Sequence, residues 1–245
     1  MKQYLVFRLY GPITSWGEIA VGENRHSFSY PSKSAVIGLI ASALGYKREE
    51  EDKHTQLTNS LSFGIKVYNS GILLKDYHTT QVPPFQQKVV YFTRKEELED
   101  KLNLNTILSA REYRMDSLYD VCIWEKNNSF QLQEIEKKLK EPNFCLYLGR
   151  KSCVLSSPLF TSLVEAENLF LAFEKYEKGL KEIFLQKEIN YEQIFQIKEK
   201  QLIEYLWEDE SQETSVEIRF RRDEVLSRKR WQFAERKEFY KSEEK

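Results

Sequence analysis

Long apolar runs are missing from this 245-residue chain. No stretch approaches the roughly eighteen residues that a membrane helix needs, and Met1-Lys2-Gln3-Tyr4-Leu5 does not open a signal peptide. The expectation is a soluble, cytoplasmic protein without membrane contact. Metal-site spacing is also missing. The three cysteines, Cys122, Cys145 and Cys153, form no CxxC and meet no His pair, and each lies in an apolar, strand-like context. Buried free thiols are expected, and no metal or other cofactor. A P-loop, a Gly-x-Ser-x-Gly elbow, a His-Asn-His pattern and a nuclease carboxylate cluster are absent. So are internal repeats and low-complexity tracts. A net charge of -1 argues against nonspecific nucleic-acid binding through total charge, yet leaves room for a local basic groove.

What is present is enough apolar material, 41% of residues with 13% aromatic, to bury one core and exclude disorder. A second lobe or a large insertion fits the remaining length. Charge is unevenly spread. Acids dominate between Glu192 and Glu213, whereas Arg219, Arg221, Arg222, Arg228, Lys229, Arg230, Arg236 and Lys237 crowd one later segment. This pattern suggests a basic surface beside an acidic one, with phosphate contacts expected around Arg228 and Arg230, although solvated faces give the same pattern.

Periodicity organises the rest. Tyr4 to Tyr10 reads as a strand ending at Gly11-Pro12. Val36, Ile37, Ile40 and Leu44 mark a helix over Ser32 to Leu44, with Ser32 as its cap and Gly45 as its stop. Leu61 to Tyr68 and Ile72 to Tyr77 read as a hairpin about Asn69-Ser70-Gly71. Thr79 to Ala110 loses its periodicity and reads as a projecting insertion. Ser117 to Trp124 is strand-like, Leu132, Ile135 and Leu139 form one face of a short helix, and Phe144 to Leu148 reads as another strand. Glu165 to Ile183 looks helical, and Leu202 to Trp207, Val216 to Phe220 and the region around Trp231 suggest further strands. This order fits an α+β fold, a ferredoxin-like or RNA-recognition-type sandwich, better than a doubly wound parallel sheet.

The densest chemistry lies in Leu9-Tyr10-Gly11-Pro12-Ile13-Thr14-Ser15-Trp16-Gly17 and Tyr30-Pro31-Ser32-Lys33-Ser34-Ala35. Trp16 offers an aromatic face, while Lys33 and Ser34 stand at a helix start whose dipole favours anions. Such tools can hold a phosphate backbone and a base. Burial of Trp16 in a core and ordinary capping by the helix start are the competing readings.

Several strings occur in one order: the Gly11-Pro12 to Trp16-Gly17 turn, Tyr30-Pro31-Ser32-Lys33-Ser34, Asp76-Tyr77-His78-Thr79, Arg111-Glu112-Tyr113, and Tyr147-Leu148-Gly149-Arg150-Lys151-Ser152-Cys153 through Ser157-Pro158-Leu159-Phe160. Together they resemble the CasD family, the CRISPR-associated subunit of type I-E Cascade within the RAMP superfamily. The resemblance runs from Tyr4 to about Phe160 and resumes near Trp231-Gln232-Phe233-Ala234. It implies a non-catalytic RNA-binding subunit that holds the 5′ handle of CRISPR RNA on a ferredoxin-like palm, residues 1–160. A thumb, residues 79–110, reaches the neighbouring backbone subunit, and a mainly β C-terminal extension follows over 161–245. The large subunit is a further partner, and target DNA is met indirectly, through guide pairing.

In that register Gly149, Arg150, Lys151 and Ser152 follow a strand, where glycine lets backbone approach a phosphate and two cations neutralise it. Arg111, at the foot of the insertion, can stack on or pair with a splayed nucleotide; its alternative is a salt bridge to Glu112 or Asp116. Tyr147, like Trp16, can stack on a base. Arg25 and His26 lie in a polar loop that can touch the handle. Ala35 stands where a glycine often follows the Lys-Ser pair, and the charged segment from Lys175 to Glu213 has no residue-by-residue match. The alternative function is metal-independent endoribonuclease processing of repeat RNA, for which Lys75, Tyr77, His78, Tyr30 and Lys33 are the available groups. Strand alternation puts His78 opposite Lys75 and Tyr77, against that reading. No RNP-type aromatic octamer is present, so loops and helix ends are the expected RNA contacts. A protein-interaction module without RNA is the third class.

Overall fold

The computed structural model describes every residue except 19, 21, 86–88, 127–130, 211, 213–216, 228 and 245. In chain order it contains β1 (Lys2–Thr14), β2 (Trp16–Gly17), β3 (Asn24–Arg25), β4 (Ser27–Phe28), α1 (Lys33–Leu44), α2 (Glu51–Ser60), β5 (Leu61–Asn69), β6 (Ile72–Val82) and α3 (Arg94–Glu97). There follow β7 (Asn105–Glu125), α4 (Leu132–Lys140), β8 (Ser162–Ala166), α5 (Leu169–Gln186), α6 (Tyr191–Ile194), β9 (Leu202–Trp207), β10 (Glu217–Ser227) and β11 (Gln232–Glu244). The fold is mixed α/β around a mainly antiparallel sheet.

The sheet runs β10-β11-β9-β5-β7-β1-β8, with β3 and β6 added along β7. Strand alternation divides the core. Leu5, Phe7 and Leu9 of β1 face α1 and α4, while Tyr4 and Val6 face α5. Because both faces are covered, β1 reads as an almost unbroken apolar run rather than an alternating one. Helix α1 starts where Ser32 Oγ accepts the Ala35 N–H at 3.1 Å and stops at Gly45. Helix α4 buries Leu132, Ile135 and Leu139, as their spacing predicts. Helix α5 begins at an Asn168 cap and lays Leu169, Phe173, Tyr176 and Leu180 on the second face. The boundary expected near residue 160 falls inside this continuous sheet, since β8 flanks β1 and β9 flanks β5.

A buried ion pair ties the middle of the sheet together. Arg8 and Asp120 are opposite each other in the β1–β7 ladder, and the guanidinium meets the carboxylate through Nε to Oδ1 at 2.8 Å and Nη2 to Oδ2 at 2.9 Å. Tyr68 donates its hydroxyl to Asp120 at 3.0 Å, and Lys66 reaches Glu177 of α5 at 2.6 Å. Arg8 also lies 4.4 Å over the ring of Phe195.

Four expectations change. The segment at Asn69-Ser70-Gly71 is no hairpin: β5 and β6 both pair antiparallel with β7, end to end along its length. Gly71 has φ +76, and a Cβ there would lie 2.4 Å from the Met115 carbonyl oxygen. Asn69 Oδ1 accepts the Gly71 N–H at 2.9 Å and Asn69 Nδ2 donates to the Asp116 carbonyl at 3.0 Å, so the bend is a local Asx device within a continuing strand pair. Strand β1 also passes through Gly11-Pro12 to Thr14. Phe144 to Leu148 is irregular although Leu146 and Leu148 are buried: the Leu148 N–H donates to the Cys153 carbonyl at 2.8 Å, closing a turn instead of extending a ladder. Cys145 is exposed, whereas Cys122 and Cys153 are buried.

Beyond Gly71, β6 and the first half of β7 form an arm. Nearly all of β6 is exposed, including Ile72, Leu73 and Tyr77. With neither face buried, alternation has nothing to encode, which is why Thr79 to Ala110 loses its period. Among the described residues, the tip between Val82 and Asn105 holds only the short α3 as regular structure.

Candidate nucleic-acid interface

The foot of the arm is built by β7 and two loops laid against it. Strand β3 runs parallel to β7 with Arg25 in register with Arg111, anchored by the Ala110 N–H, which donates to the Glu23 carbonyl at 3.0 Å. Register partners share a face, so the two exposed arginines leave the backbone at neighbouring positions. Among the described residues Arg25 Nη1 donates only to neutral carbonyls, those of Gly22 at 2.5 Å and Asn24 at 3.2 Å. Asp76 is in register with Arg111 on the other side, but its carboxylate is taken by His78. Among the described residues Arg111 enters no ion pair, so neither Glu112 nor Asp116 is its partner.

Two positions along the same face of β7, Tyr113 carries the guanidinium of Arg150 at 4.9 Å from its ring centroid. One donor of that group, Nη1, is buried without an acceptor among the described residues, and so is Nε of Arg114. Arg150 is presented by a tight turn: the Ser15 N–H donates to the Leu148 carbonyl at 3.0 Å, the Leu148 N–H to the Cys153 carbonyl at 2.8 Å, and the Cys153 N–H to the Arg150 carbonyl at 2.8 Å. Gly149 makes the turn possible. Its φ is +90, and a Cβ there would lie 1.8 Å from the Ser15 carbonyl oxygen, so close approach to Ser15 is the reason for glycine here. Lys151 and Ser152 are exposed at the tip, and Tyr147 is 38% exposed beside them.

On the opposite face of β7, Glu112 fastens the polar loop. Its Oε1 pairs with His26 Nδ1 at 3.1 Å, and its Oε2 accepts the Ser27 N–H at 3.2 Å. Partial burial works to raise the Glu112 carboxyl, but the Ser27 N–H and the His26 ring outweigh it and hold the group below the usual carboxylate range.

The structure therefore brings Arg25, His26, Arg111, Tyr147, Gly149, Arg150, Lys151 and Ser152 to one end of the sheet. Others go elsewhere. Trp16 is only 2% exposed and packs edge-on against Tyr119 at 5.8 Å, so it has no face open to a base. Lys33 is 1% exposed: its ammonium sits 2.8 Å from Glu208, and Asp223 Oδ2 accepts its backbone N–H at 2.8 Å. The chain's own carboxylates occupy the anion position at the start of α1, which corrects the phosphate role expected for Lys33. Ser34 is half-buried, with its Oγ 2.9 Å from Ser32 Oγ. Arg228 lies outside the described residues. Arg230 is exposed on the β10–β11 turn, distant in the sheet order from β7, where Glu51 of α2 takes the Ser227 hydroxyl at 2.5 Å. Much of the basic C-terminal segment is likewise matched internally: Arg219 with Glu217, Arg236 with Asp223 and Glu238, Lys237 with Glu210.

Of the groups weighed for RNA cleavage, Tyr30 is buried and donates to Glu238 at 2.6 Å, Lys33 is enclosed, and Lys75 and His78 stand on opposite faces of β6. Tyr113 and Arg114 are additions that sequence reasoning missed; the alternation of Arg111, Tyr113 and Met115 against Glu112 and Arg114 is the signal that marks them.

Comparison with known proteins bears on this geometry. Residues 4–238 match the sequence profile of a family described as CRISPR-associated protein (Cas5). The Cascade subunit CasD of Escherichia coli (strain K12) is 28% identical over 178 residues, covering 72% of this chain and 78% of the relative. A chain of a CRISPR RNA-guided surveillance complex has a TM-score of 0.63 at 20% identity, covering 98% of this chain and 89% of that one. A crystal structure of a Cas protein has a TM-score of 0.56 at 25% identity, covering 98% and 94%.

Proposed function

The chain belongs to the Cas5 family of CRISPR-associated proteins, and from that premise we propose that it is a non-catalytic subunit of type I-E Cascade that holds the 5′ handle of CRISPR RNA and caps one end of the complex. The observation that carries this reading is the trio Arg25, Arg111 and Arg150 at the arm foot, where two like charges stand in register and no carboxylate among the described residues pairs with them. Like charges directly opposite each other destabilise a sheet, and an anion between them removes the penalty. Phosphate oxygens supply that anion. Tyr147 offers a ring for an adjacent base, and the exposed Lys151 and Ser152 offer further phosphate contacts.

In this reading β5-β7-β1-β8, joined by α1 and α4 packed on one face, is a ferredoxin-like palm. Its order and its antiparallel neighbours support that assignment. Helix α5 covers the opposite face, which supports loop-borne rather than sheet-borne RNA contacts. The arm is the thumb that meets the backbone subunit through its exposed apolar side chains, and the large subunit is a second partner in the cytoplasmic particle. Target sequence is read by guide pairing, not by this chain.

The test is purification of a tagged copy from cells that express its neighbouring genes and a CRISPR array, followed by sequencing of the RNA retained. A uniform RNA with a repeat-derived 5′ end in a multi-subunit particle is the expected result. An RNA-free monomer contradicts it, and single-site cleavage of added repeat RNA in chelator favours the nuclease alternative.

A further inference from the structure

A cleft opens between α4, the segment 142–162 and α5. Its volume is about 770 Å³, within the range of sites that admit a ligand or an inserted segment. Leu139, Leu146, Phe160, Leu180 and Ile183 form its walls. Two lysines line it: Lys140, whose ammonium Glu136 holds at 2.8 Å, and Lys175. The Lys175 ammonium donates to the Glu165 carbonyl at 2.7 Å, a neutral acceptor that leaves its charge uncancelled. Thr161 also lines the cleft, and its hydroxyl is buried without a hydrogen-bond partner among the described residues. Leaving such a group unpaired is costly unless an incoming group completes it. Val154 and Ile183 remain 54% and 44% exposed.

We propose that this cleft docks a segment of a neighbouring protein subunit that presents bulky apolar side chains beside a carboxylate. Apolar walls take the side chains, Lys175 takes the acid, and a backbone carbonyl of the segment accepts from Thr161. Nucleic acid is the wrong occupant, because the walls are aliphatic for the most part and one uncancelled cation, Lys175, does not track a phosphate backbone. Cys145, Leu146, Val154 and Leu155 line the cleft and flank the turn that presents Arg150. An occupant therefore holds that turn from behind.

The proposal rests on assembly into a complex, and its test separates the two claims. Cys145 is the exposed cysteine of the three, so maleimide modification reports on the cleft. In the isolated chain Cys145 reacts freely; in the purified RNA-containing particle its rate falls by roughly tenfold or more, as burial by a partner requires. A photo-crosslinker placed on Cys145 joins it to an apolar, acid-containing peptide of one subunit. Val154→Glu and Ile183→Glu, at positions already half exposed, lose that subunit from the particle and keep the RNA. A particle with fully reactive Cys145 and unchanged composition in both variants overturns the docking site alone. So does protection of Cys145 by repeat RNA without protein partners. A wild-type chain that forms no particle overturns the Cascade assignment and this proposal together.

Discussion

Arg8 and Arg111 lie on neighbouring strands and meet opposite fates. Arg8 is fully enclosed, bidentate to Asp120, and sandwiched among Tyr68, Tyr191 and Phe195. Arg111 is exposed beside Arg25, with no carboxylate within ion-pair distance among the described residues. A buried guanidinium must be matched inside the fold, because its desolvation is repaid only by a well-placed partner. An exposed cluster of unmatched guanidiniums costs little in water and remains available to an external anion. The middle of the sheet spends its charges on itself; the arm foot keeps them open.

The largest effect that tests this contrast is removal of one buried partner. Asp120→Ala strands Arg8 and should cost about 3–5 kcal/mol in chemical denaturation. Next is Gly149→Ala, which sets a Cβ against the Ser15 carbonyl at positive φ. It should cost more than about 1 kcal/mol and weaken RNA binding with it, because the turn that carries Arg150 must move. Smaller in stability and opposite in sign is Arg111→Gln, which removes the charge without setting a carboxylate opposite Asp76. Relief of the Arg25 repulsion should gain a few tenths of a kcal/mol while RNA affinity falls, and a variant that loses both breaks the comparison.

The smallest effect is pH-dependent. The Glu112 carboxyl is held below its ordinary range in the folded chain, so its contribution is complete above the unfolded value of roughly 4.3 and is lost as pH falls through the lower folded value. Exchange of the Ser27 amide should quicken over that acid window, and Glu112→Gln should remove the pH dependence.

Parts of this arrangement are legible without coordinates, for reasons that differ by element. Helices α1 and α4 carry apolar stripes with clear caps or spacing, and β5, β7 and β9 carry branched and aromatic runs. Helix α2 escapes notice because it buries little beyond His54, Leu57 and Thr58. Asn69-Ser70-Gly71 announces a bend, but turn chemistry does not say which strand the chain pairs with next; β7, far along the chain, decides that. Trp16 and Lys33 mislead for a related reason. The groups that bury or neutralise them, Tyr119, Glu208 and Asp223, are remote in sequence. Gly149 is expected to let backbone approach a phosphate, whereas the atom that its missing Cβ makes room for belongs to Ser15. Arg111 and Arg150 stand out only through the resemblance, and their exposure beside Arg25 supplies the physical argument.

The most direct test is binding of a labelled RNA carrying the repeat-derived 5′ handle to the wild-type chain and to the Arg111→Ala, Arg150→Ala, Lys151→Ala triple variant across a salt series, with thermal melts of both proteins alongside. Each lost phosphate contact should reduce the slope of log K against log salt by about 0.7, so the account predicts a drop of roughly two with an unchanged melting temperature. Equal affinity and equal salt dependence in the two folded proteins contradict it.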